Sequence, residues 1–366
     1  MIAALLLAAA AVTATCDLEK PSGQPGCTRS AVDALPMNAI QAIGTHNSYK
    51  LPIAPNEMAI LRTANPKAAD TLDYSHRPLR EQLDAGARQL EIDLVHDPQG
   101  GLYTAPLGQR MVGAKAVPYD LAPLKAPGLK VLHAPDIDYR SVCPTFTACL
   151  KDVRAWSLAH PDHVPILILL NLKEDGISWP GAVKPLAFDA AAMDAIDAEI
   201  RSVFPPDALI TPDRVQGRHA TLREAAAAGA WPTLRAARGK VMFACDCPPG
   251  QVARYRGARK VLEGRAAFVN IEETSPAAGY ITLNEPGKQA ERIAAAVKAG
   301  LIVRTRADAD TFEARRNDRA RQDAAFASGA QYVSTDYMVP DARFGPYVVK
   351  LPGGGVARLS PAQPAR

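Results

Sequence analysis

The chain has 366 residues, of which 48% are hydrophobic and 22% are charged, and this ordinary globular composition excludes an intrinsically disordered protein. The 42 Lys and Arg residues barely exceed the 38 Asp and Glu residues, and no long basic run occurs, so no nucleic-acid partner is expected. Beyond residues 2–12 no apolar stretch approaches the roughly 18 residues of a membrane-spanning helix, so we expect no transmembrane segment.

The N-terminus has the pattern of a secretory signal. The apolar run at residues 2–12 is followed by small residues, and Val12-Thr13-Ala14 is a suitable cleavage site. No positively charged residue precedes the run, so two alternatives stay open: a lipoprotein signal ending at Cys16, or a plain apolar N-terminus. We expect residues 1–14 to be a signal peptide and the mature protein to be secreted or periplasmic.

The six cysteines fall into three couples that are close in sequence: Cys16 with Cys27, Cys143 with Cys149, and Cys245 with Cys247. An even number in local couples indicates disulfides formed in an oxidising compartment. None of the couples has the spacing of a zinc site or a nearby histidine, which disfavours a metal. Spacing alone does not determine connectivity, and pairing within each couple is the simplest arrangement.

Short apolar runs alternate with longer helical patterns, as expected for βα units with a parallel sheet. Strands are predicted at residues 39–43, 89–94, 129–132, 166–170, 240–243, 267–271, 301–303 and 332–334. Helices are predicted at residues 78–85, 145–159, 187–203, 222–228, 288–299 and 312–327. Eight strands in this alternation predict an α/β fold, a TIM-type (β/α)8 barrel. We expect a single barrel domain at residues 37–345 and a C-terminal tail at 346–366, with both Pro- and Gly-rich ends loosely attached.

Catalytic residues of such a barrel lie where its strands end. Polar residues collect at these positions: Gly44-Thr45-His46-Asn47-Ser48, Glu91-Ile92-Asp93, His133, Asn171-Leu172-Lys173-Glu174, Arg304-Thr305-Arg306 and Thr335-Asp336. Several of these positions are therefore expected to share one site.

Two carboxylates on one strand suggest a cation. Glu91 and Asp93 point to the same face because side chains alternate along a strand. Burial beside each other would raise their pKa values unless a positive charge compensates. With oxygen ligands from Asn47 and Asn171, the set fits a hard cation such as Ca²⁺ or Mg²⁺. A salt-bridge network made with Lys173 and Arg304 explains the same pattern equally well.

Two histidines can act as an acid/base pair. His46 and His133 end neighbouring odd-numbered predicted strands, so they can face each other across the barrel mouth. One neutral and one protonated imidazole can deprotonate a hydroxyl and protonate a leaving group. The other histidines are assigned structural roles: His76, His96, His160, His163 and His219.

The run Ile43-Gly44-Thr45-His46-Asn47-Ser48-Tyr49 and the strand Leu90-Glu91-Ile92-Asp93 resemble the catalytic barrel of the phosphatidylinositol-specific phospholipase C family. The resemblance is closer to its secreted, calcium-dependent branch of bacteria and fungi, and segments 143–170 and 222–241 share it. It extends over residues 37–336, and its two motifs are specific only together.

The resemblance implies a phosphodiesterase that cleaves phosphatidylinositol-type lipids to diacylglycerol and a cyclic or linear inositol phosphate. His46 and His133 would be the acid/base pair. Asn47, Glu91 and Asp93 would bind Ca²⁺, with Mg²⁺ as a weaker alternative. Substrate binding is assigned to Lys173, Arg304 and Asp336.

The predicted fourth strand departs from the family pattern. Where the family has Glu-x-Lys, this chain has Asn171-Leu172-Lys173, which removes one negative charge from the metal site. Asn171 can coordinate through its amide oxygen, and strand alternation favours it over the other candidate, Glu174.

Two alternatives to this function stay open. A glycerophosphodiester phosphodiesterase would use the same barrel, metal and histidines, whereas a catalytically silent module would only bind inositol lipids. The two histidines and two carboxylates favour an enzyme. Its expected partner is a phospholipid at a membrane surface, and we expect a monomer.

Overall fold

The computed structural model describes residues 12, 13 and 15–362, so most of the predicted signal peptide lies outside the described residues. The strands are β1 (Ile40–Thr45), β2 (Gln89–Val95), β3 (Lys130–Val131), β4 (Ile166–Leu172), β5 (Leu209–Ile210), β6 (Val241–Cys245), β7 (Ala267–Val269), β8 (Tyr280–Thr282), β9 (Ile302–Arg306), β10 (Tyr332–Thr335) and β11 (Ala357–Leu359).

Helices alternate with these strands along the chain. They are α1 (Arg29–Ala34), α2 (Pro55–Ala64), α3 (Pro66–Thr71), α4 (Leu79–Asp84), α5 (Leu107–Val112), α6 (Phe146–Ala159), α7 (Ala190–Val203), α8 (Pro212–Gln216), α9 (Leu222–Ala227), α10 (Leu234–Ala237), α11 (Pro249–Arg256), α12 (Ala290–Lys298), α13 (Phe312–Arg316) and α14 (Ala320–Ala327). Each helix predicted from the sequence is present, but the one at 312–327 is divided into α13 and α14. The division falls at Asn317, whose φ of 50° is left-handed and ends α13.

Parallel strands form the barrel in the order β1, β2, β4, β6, β7, β8, β9 and β10, and β10 pairs again with β1. The seam between β7 and β8 is narrow, and a single parallel bridge from Asn270 to Tyr280 joins them. The predicted TIM-type α/β barrel is thus confirmed. We call the C-terminal ends of these strands the barrel mouth and their N-terminal ends the barrel floor.

The barrel wall is apolar because its strands are covered on both faces. In β4, all residues are apolar and buried except Asn171, which lies at the mouth and is half-buried. Gly44 of β1 lies opposite Gln89 of β2, and a Cβ at this position would lie 2.3 Å from Gln89 Oε1. A residue without a side chain therefore allows β1 and β2 to approach just below the motif that follows β1.

The third predicted strand is not a barrel strand, and this expectation is wrong. β3 occupies only two residues and pairs antiparallel with the end of β2, where Val131 lies opposite Leu94. The remaining parallel strand is β8, a three-residue element that the apolar pattern did not predict. Short strands of this kind carry too few alternating residues to be recognised from hydrophobic periodicity.

The loose attachment expected of the two ends is also wrong. β11 lies within the predicted tail and pairs antiparallel with β1, with Ala357 opposite Ala42. The backbone N–H of Leu18 donates to the carbonyl of Ala357 at 2.7 Å, so the two ends pack on each other as well as on the barrel.

The three cysteine couples form disulfides as the local spacing suggested: Cys16–Cys27, Cys143–Cys149 and Cys245–Cys247. Among the described residues, no helix is both long and apolar enough to cross a bilayer.

Candidate active site and metal centre

His46 follows β1 directly and lies at the barrel mouth among charged groups. Its Nδ1 is 3.0 Å from Asp336 Oδ1, and its Nε2 is 3.4 Å from Arg306 Nη1 and 3.7 Å from Glu91 Oε1. Because an ionised carboxylate only accepts, Nδ1 carries the proton and Nε2 keeps its lone pair. Burial, followed by the charge of Arg306, lowers the pKa of His46 to about 4. His46 is therefore a neutral imidazole at neutral pH, and its basic Nε2 faces Arg306 Nη1 and Glu91 Oε1.

Asp336 is held in place from several sides. Arg306 Nη2 lies 3.2 Å from its Oδ2, and His76 Nε2 lies 3.7 Å from its Oδ1. Burial opposes ionisation, but His46 and His76, together with Arg306, hold the pKa of Asp336 far below its usual range. The neighbouring Asp308 accepts from the Asp336 backbone N–H at 2.8 Å, and burial beside Asp336 raises the pKa of Asp308 to about 7.

Tyr74 joins His46 to Asn47. The Tyr74 hydroxyl is 3.3 Å from His46 Nδ1 and accepts from Asn47 Nδ2 at 2.7 Å. Asn47 adopts a left-handed backbone with φ 48°, a conformation that asparagine tolerates better than most residues. The amide nitrogen is thereby engaged, and Asn47 Oδ1 is buried without a hydrogen-bond partner.

The two carboxylates of β2 point together, as alternation predicted, and each meets a cation. Arg304 Nη2 lies 2.5 Å from Glu91 Oε2, and Lys173 Nζ lies 3.0 Å from Asp93 Oδ2. Burial would lower the pKa of Lys173, but Asp93 raises it above its usual value. The salt-bridge network that the sequence left open therefore exists among these residues.

The donor set also fits a hard cation. Among residues 12, 13 and 15–362, neither oxygen of Asp93 has a hydrogen-bond partner apart from the Lys173 ion pair, and Asn47 Oδ1 has none. Asn171 of β4 lies opposite Asp93 in the strand register. In the part of the chain that the structure describes, no three His, Cys, Asp or Glu side chains form a metal site by themselves. A cation here would consequently need amide oxygens, which Ca²⁺ accepts.

Glu174, the other candidate for the missing ligand, points elsewhere. Its Oε1 accepts from the backbone N–H of Phe188 at 2.7 Å and from Arg254 Nη2 at 2.5 Å. These bonds lower the pKa of Glu174 against the effect of its burial. The contacts occupy Glu174 away from Asp93, and they favour Asn171 as the residue that faces the candidate metal centre.

His133 has its own carboxylate. It lies two residues beyond β3, and its Nδ1 is 2.8 Å from Asp138 Oδ2. Asp138 lies beside His133 because two reciprocal backbone hydrogen bonds between Ala134 and Asp138 close a tight turn. Both histidines thus have Nδ1 held by an aspartate, which leaves Nε2 available.

Sequence reasoning missed the supports of the two histidines. Tyr74, His76 and Asp138 lie on loops without periodicity. His76 was assigned a structural role, and its Nε2 donates to the His46 carbonyl oxygen at 2.7 Å, which agrees with that role. Arg306 carried a usable signal, because it is two residues beyond Arg304 on the same strand face.

Known proteins share this architecture. A calcium-dependent phosphoinositol-specific phospholipase C from a Pseudomonas species, in its apo form, is 18% identical, with a TM-score of 0.52 over 89% of this chain and 95% of that one. A calcium-dependent phosphatidylinositol-specific phospholipase C from Streptomyces antibioticus is 19% identical, with a TM-score of 0.50 over 83% of this chain and 95% of that one. No protein of curated function matches the sequence.

The sequence profile described as "Phosphoinositide phospholipase C, Ca2+-dependent" matches residues 35–361, which is nearly all of the chain. Because the two solved structures are less than 20% identical to this chain, their similarity shows only the barrel fold. The profile match covers nearly the whole chain and therefore shows the family. The chain belongs to the Ca²⁺-dependent phosphoinositide phospholipase C family and is a phosphoric diester hydrolase.

Proposed function

We propose that His46 and His133 cleave the bond between phosphate and diacylglycerol in phosphatidylinositol, with the inositol 2-hydroxyl as nucleophile. The observation that carries this proposal is the pair of His–Asp contacts, His46–Asp336 and His133–Asp138, at the same mouth as Glu91 and Asp93. A pure binding module has no need of two imidazoles whose Nδ1 atoms are each held by an aspartate.

His46 is the base of this mechanism. Its Nε2 takes the proton of the 2-hydroxyl while the hydroxyl oxygen bonds to phosphorus, and Asp336 stabilises the imidazolium that forms. The substrate phosphate would approach Arg306, whose charge is one of the causes of the low pKa of His46. Neutralising that charge makes His46 a stronger base at the moment when the substrate is bound.

His133 is the acid. As the bond between phosphorus and the glycerol oxygen breaks, Nε2 of protonated His133 donates its proton to that oxygen, and diacylglycerol leaves with a cyclic inositol phosphate as the first product. Lys173 and Arg304 neutralise the phosphate oxygens, and Asp336 fixes the base side of the substrate site.

Calcium would be held by Asn47, Glu91, Asp93 and Asn171. When bound, it lowers the pKa of the attacking hydroxyl and neutralises charge that develops on the phosphate. Mg²⁺ would bind more weakly, because it demands a smaller and more regular set of ligands.

A membrane surface is the proposed location of catalysis. The structure has six exposed large apolar residues among the described ones, and five lie in connections that follow the mouth ends of strands: Met111 in α5, Phe312 at the start of α13, and Val117, Leu186 and Val339 in loops. We call these five the mouth residues. The sixth, Leu158, ends α6 near the barrel floor. An apolar rim around the catalytic centre suits a lipid surface better than a soluble substrate.

The proposed location outside the cytoplasm is supported by the disulfides, which use all six cysteines of the chain. A periplasmic or secreted protein meets both the oxidising conditions and an accessible lipid surface.

The deciding experiment is an assay of the purified enzyme on phosphatidylinositol vesicles and on glycerophosphoinositol, with calcium or with excess chelator. We expect diacylglycerol and cyclic inositol phosphate from the vesicles, little turnover of glycerophosphoinositol, and loss of activity in chelator. Preference for glycerophosphoinositol would establish a glycerophosphodiester phosphodiesterase instead. Lipid binding without turnover would indicate the catalytically silent binding module.

A further inference from the structure

A lysine is completely buried between the supports of the two catalytic histidines. Lys50 lies three residues beyond Asn47, and its Nζ donates to the carbonyl oxygen of Tyr74 at 2.8 Å. The same Nζ is 3.2 Å from Asp138 Oδ1, and neither side chain of this ion pair is exposed. A charge without access to water needs such partners, because leaving it unpaired is strongly destabilising.

The partner of Lys50 is the aspartate that holds His133. Asp138 uses Oδ2 for His133 Nδ1 at 2.8 Å and Oδ1 for Lys50. Burial alone would raise the pKa of Asp138, but the charge of Lys50 and then the bond to His133 lower it below its ordinary value. Asp138 is thus a carboxylate shared between Lys50 and His133.

Lys50 also reaches the side of the other histidine. The carbonyl of Tyr74 accepts from Lys50, while the hydroxyl of Tyr74 contacts His46 Nδ1 and Asn47 Nδ2. The remaining titratable groups near Asp138 are the phenols of Tyr49 and Tyr74, whose pKa values burial and nearby carboxylates raise well above the ordinary value. Both phenols stay neutral, and Lys50 is the lysine whose ion pair with Asp138 the structure shows.

We propose that Lys50 is a positioning residue that holds Asp138 against His133 and sets how readily His133 releases its proton. The inference rests on the proposed function, in which His133 protonates the leaving group. The positive charge of Lys50 weakens the pull of Asp138 on protonated His133, which makes His133 a better proton donor. Without Lys50 the whole charge of Asp138 falls on His133, and the proton is held more tightly.

The chain offers a matched control. Lys130 of β3 is another buried lysine, whose Nζ donates to the Ala126 and Gly128 carbonyls at 2.6 Å and lies 3.4 Å from Asp97 Oδ2. Its burial and partners are like those of Lys50, but its carboxylate partner is Asp97, whereas that of Lys50 is the aspartate that holds His133. Lys130→Met therefore reports the general cost of losing a buried lysine.

The test compares Lys50→Met and Lys130→Met on phosphatidylinositol vesicles and on a nitrophenyl inositol phosphodiester, whose leaving group needs no proton. For Lys50→Met we expect kcat on the lipid to fall by about 10- to 100-fold, part of the rate factor that a positioned acid supplies. KM should barely change, and the loss on the nitrophenyl substrate should stay below about threefold, because its leaving group needs no acid. The alkaline limb of the pH–rate profile should move to higher pH. For Lys130→Met, kcat should fall by a similar factor on both substrates.

Equal losses of Lys50→Met on the two substrates, or an unchanged alkaline limb, would overturn the inference. If Lys50→Met does not fold, Lys50→Gln takes its place, because its amide can still donate to the Tyr74 carbonyl but carries no charge, and it should show the same selective loss on the lipid. A wild-type enzyme without phospholipase activity would instead refute the proposed function, so the two failures are distinguishable.

Discussion

The two ends of the barrel each hold a histidine whose pKa burial lowers to about 4, but the groups around them differ. At the floor, His163 Nδ1 donates to the Val164 carbonyl at 2.7 Å, and Nε2 accepts from the Ser157 hydroxyl at 2.8 Å. Both nitrogens are therefore satisfied by neutral partners. At the mouth, His46 Nδ1 meets a carboxylate, and Nε2 keeps its lone pair among charged groups.

The comparison shows that a lowered pKa reports burial, not catalysis. Burial is the largest cause of the pKa shift of both histidines, and the lowered pKa alone does not distinguish His46 from His163. What separates them is that His46 Nδ1 pairs with an ionised carboxylate and its Nε2 has only a long 3.4 Å contact from Arg306, whereas both nitrogens of His163 have short bonds to neutral partners. The predictions below test this distinction between mouth and floor.

The largest expected effect is on turnover. His46→Ala should lower kcat on phosphatidylinositol by about two to four orders of magnitude, the contribution of a positioned base, with little change in thermal stability. His163→Ala should destabilise the fold by about 1–3 kcal/mol, since it leaves buried polar groups unpaired, and should keep near-normal turnover. Steady-state kinetics and thermal unfolding on both variants check this.

Two results would break the comparison. A His163→Ala enzyme that stays folded but is inactive would show that catalysis also depends on the histidine at the barrel floor. A His46→Ala enzyme with normal turnover would remove the base and, with it, most of the proposed chemistry.

Stability should depend on pH through His163. Its pKa is lowered from 6.5 unfolded to about 4 folded, so the unfolded state binds more protons between these values. The contribution is therefore fully present above about pH 6.5 and is lost as the pH falls towards 4, on the order of 3 kcal/mol in all. His163→Gln removes this titration, so its stability relative to wild type should rise as the pH falls through that window. Denaturant unfolding at several pH values measures the difference, and parallel curves would contradict it.

The strand-borne half of the site could be predicted from sequence, because alternation determines which side chains share a face. Glu91 and Asp93 point together, and the register places Asn171 opposite Asp93. The parallel barrel likewise followed from the βα alternation, although the pattern counted β3 as a barrel strand and missed β8.

The loop-borne half could not be predicted, because loops have no period. Tyr74 and Asp138 reach the histidines through turns whose geometry depends on tertiary contacts, such as the Lys50 bond to the Tyr74 carbonyl. His133 was expected at the end of a barrel strand, but β3 runs antiparallel to β2, and two residues of strand gave no sign of its direction.

The mouth and the floor should also differ in membrane binding. Met111→Ser/Phe312→Ser removes two of the mouth residues, and each apolar side chain buried in lipid contributes about 1.5–3 kcal/mol. We expect vesicle affinity to fall about tenfold or more, with unchanged turnover of a soluble nitrophenyl substrate. Leu158→Ser at the floor is the matched control, because Leu158 is the most exposed of the six at 62%. Vesicle sedimentation measures all three proteins, and equal affinities would remove the mouth as the docking surface.

The smallest expected effect concerns the charge that β4 lacks. Asn171→Glu adds a third carboxylate to those of Glu91 and Asp93, at the position opposite Asp93 in the strand register. Because each added carboxylate strengthens a calcium site, we expect Kd to fall by about tenfold. Glu174→Gln is the control, since Glu174 is held by the Phe188 N–H and Arg254 and should leave calcium affinity unchanged. Calorimetric titration of calcium measures both variants without reference to activity. An unchanged Kd for Asn171→Glu together with a weakened one for Glu174→Gln would mean that Glu174 moves on metal binding and supplies the ligand. A Kd that falls only for Asn171→Glu would assign the missing calcium ligand to residue 171 of β4, which the strand register places opposite Asp93.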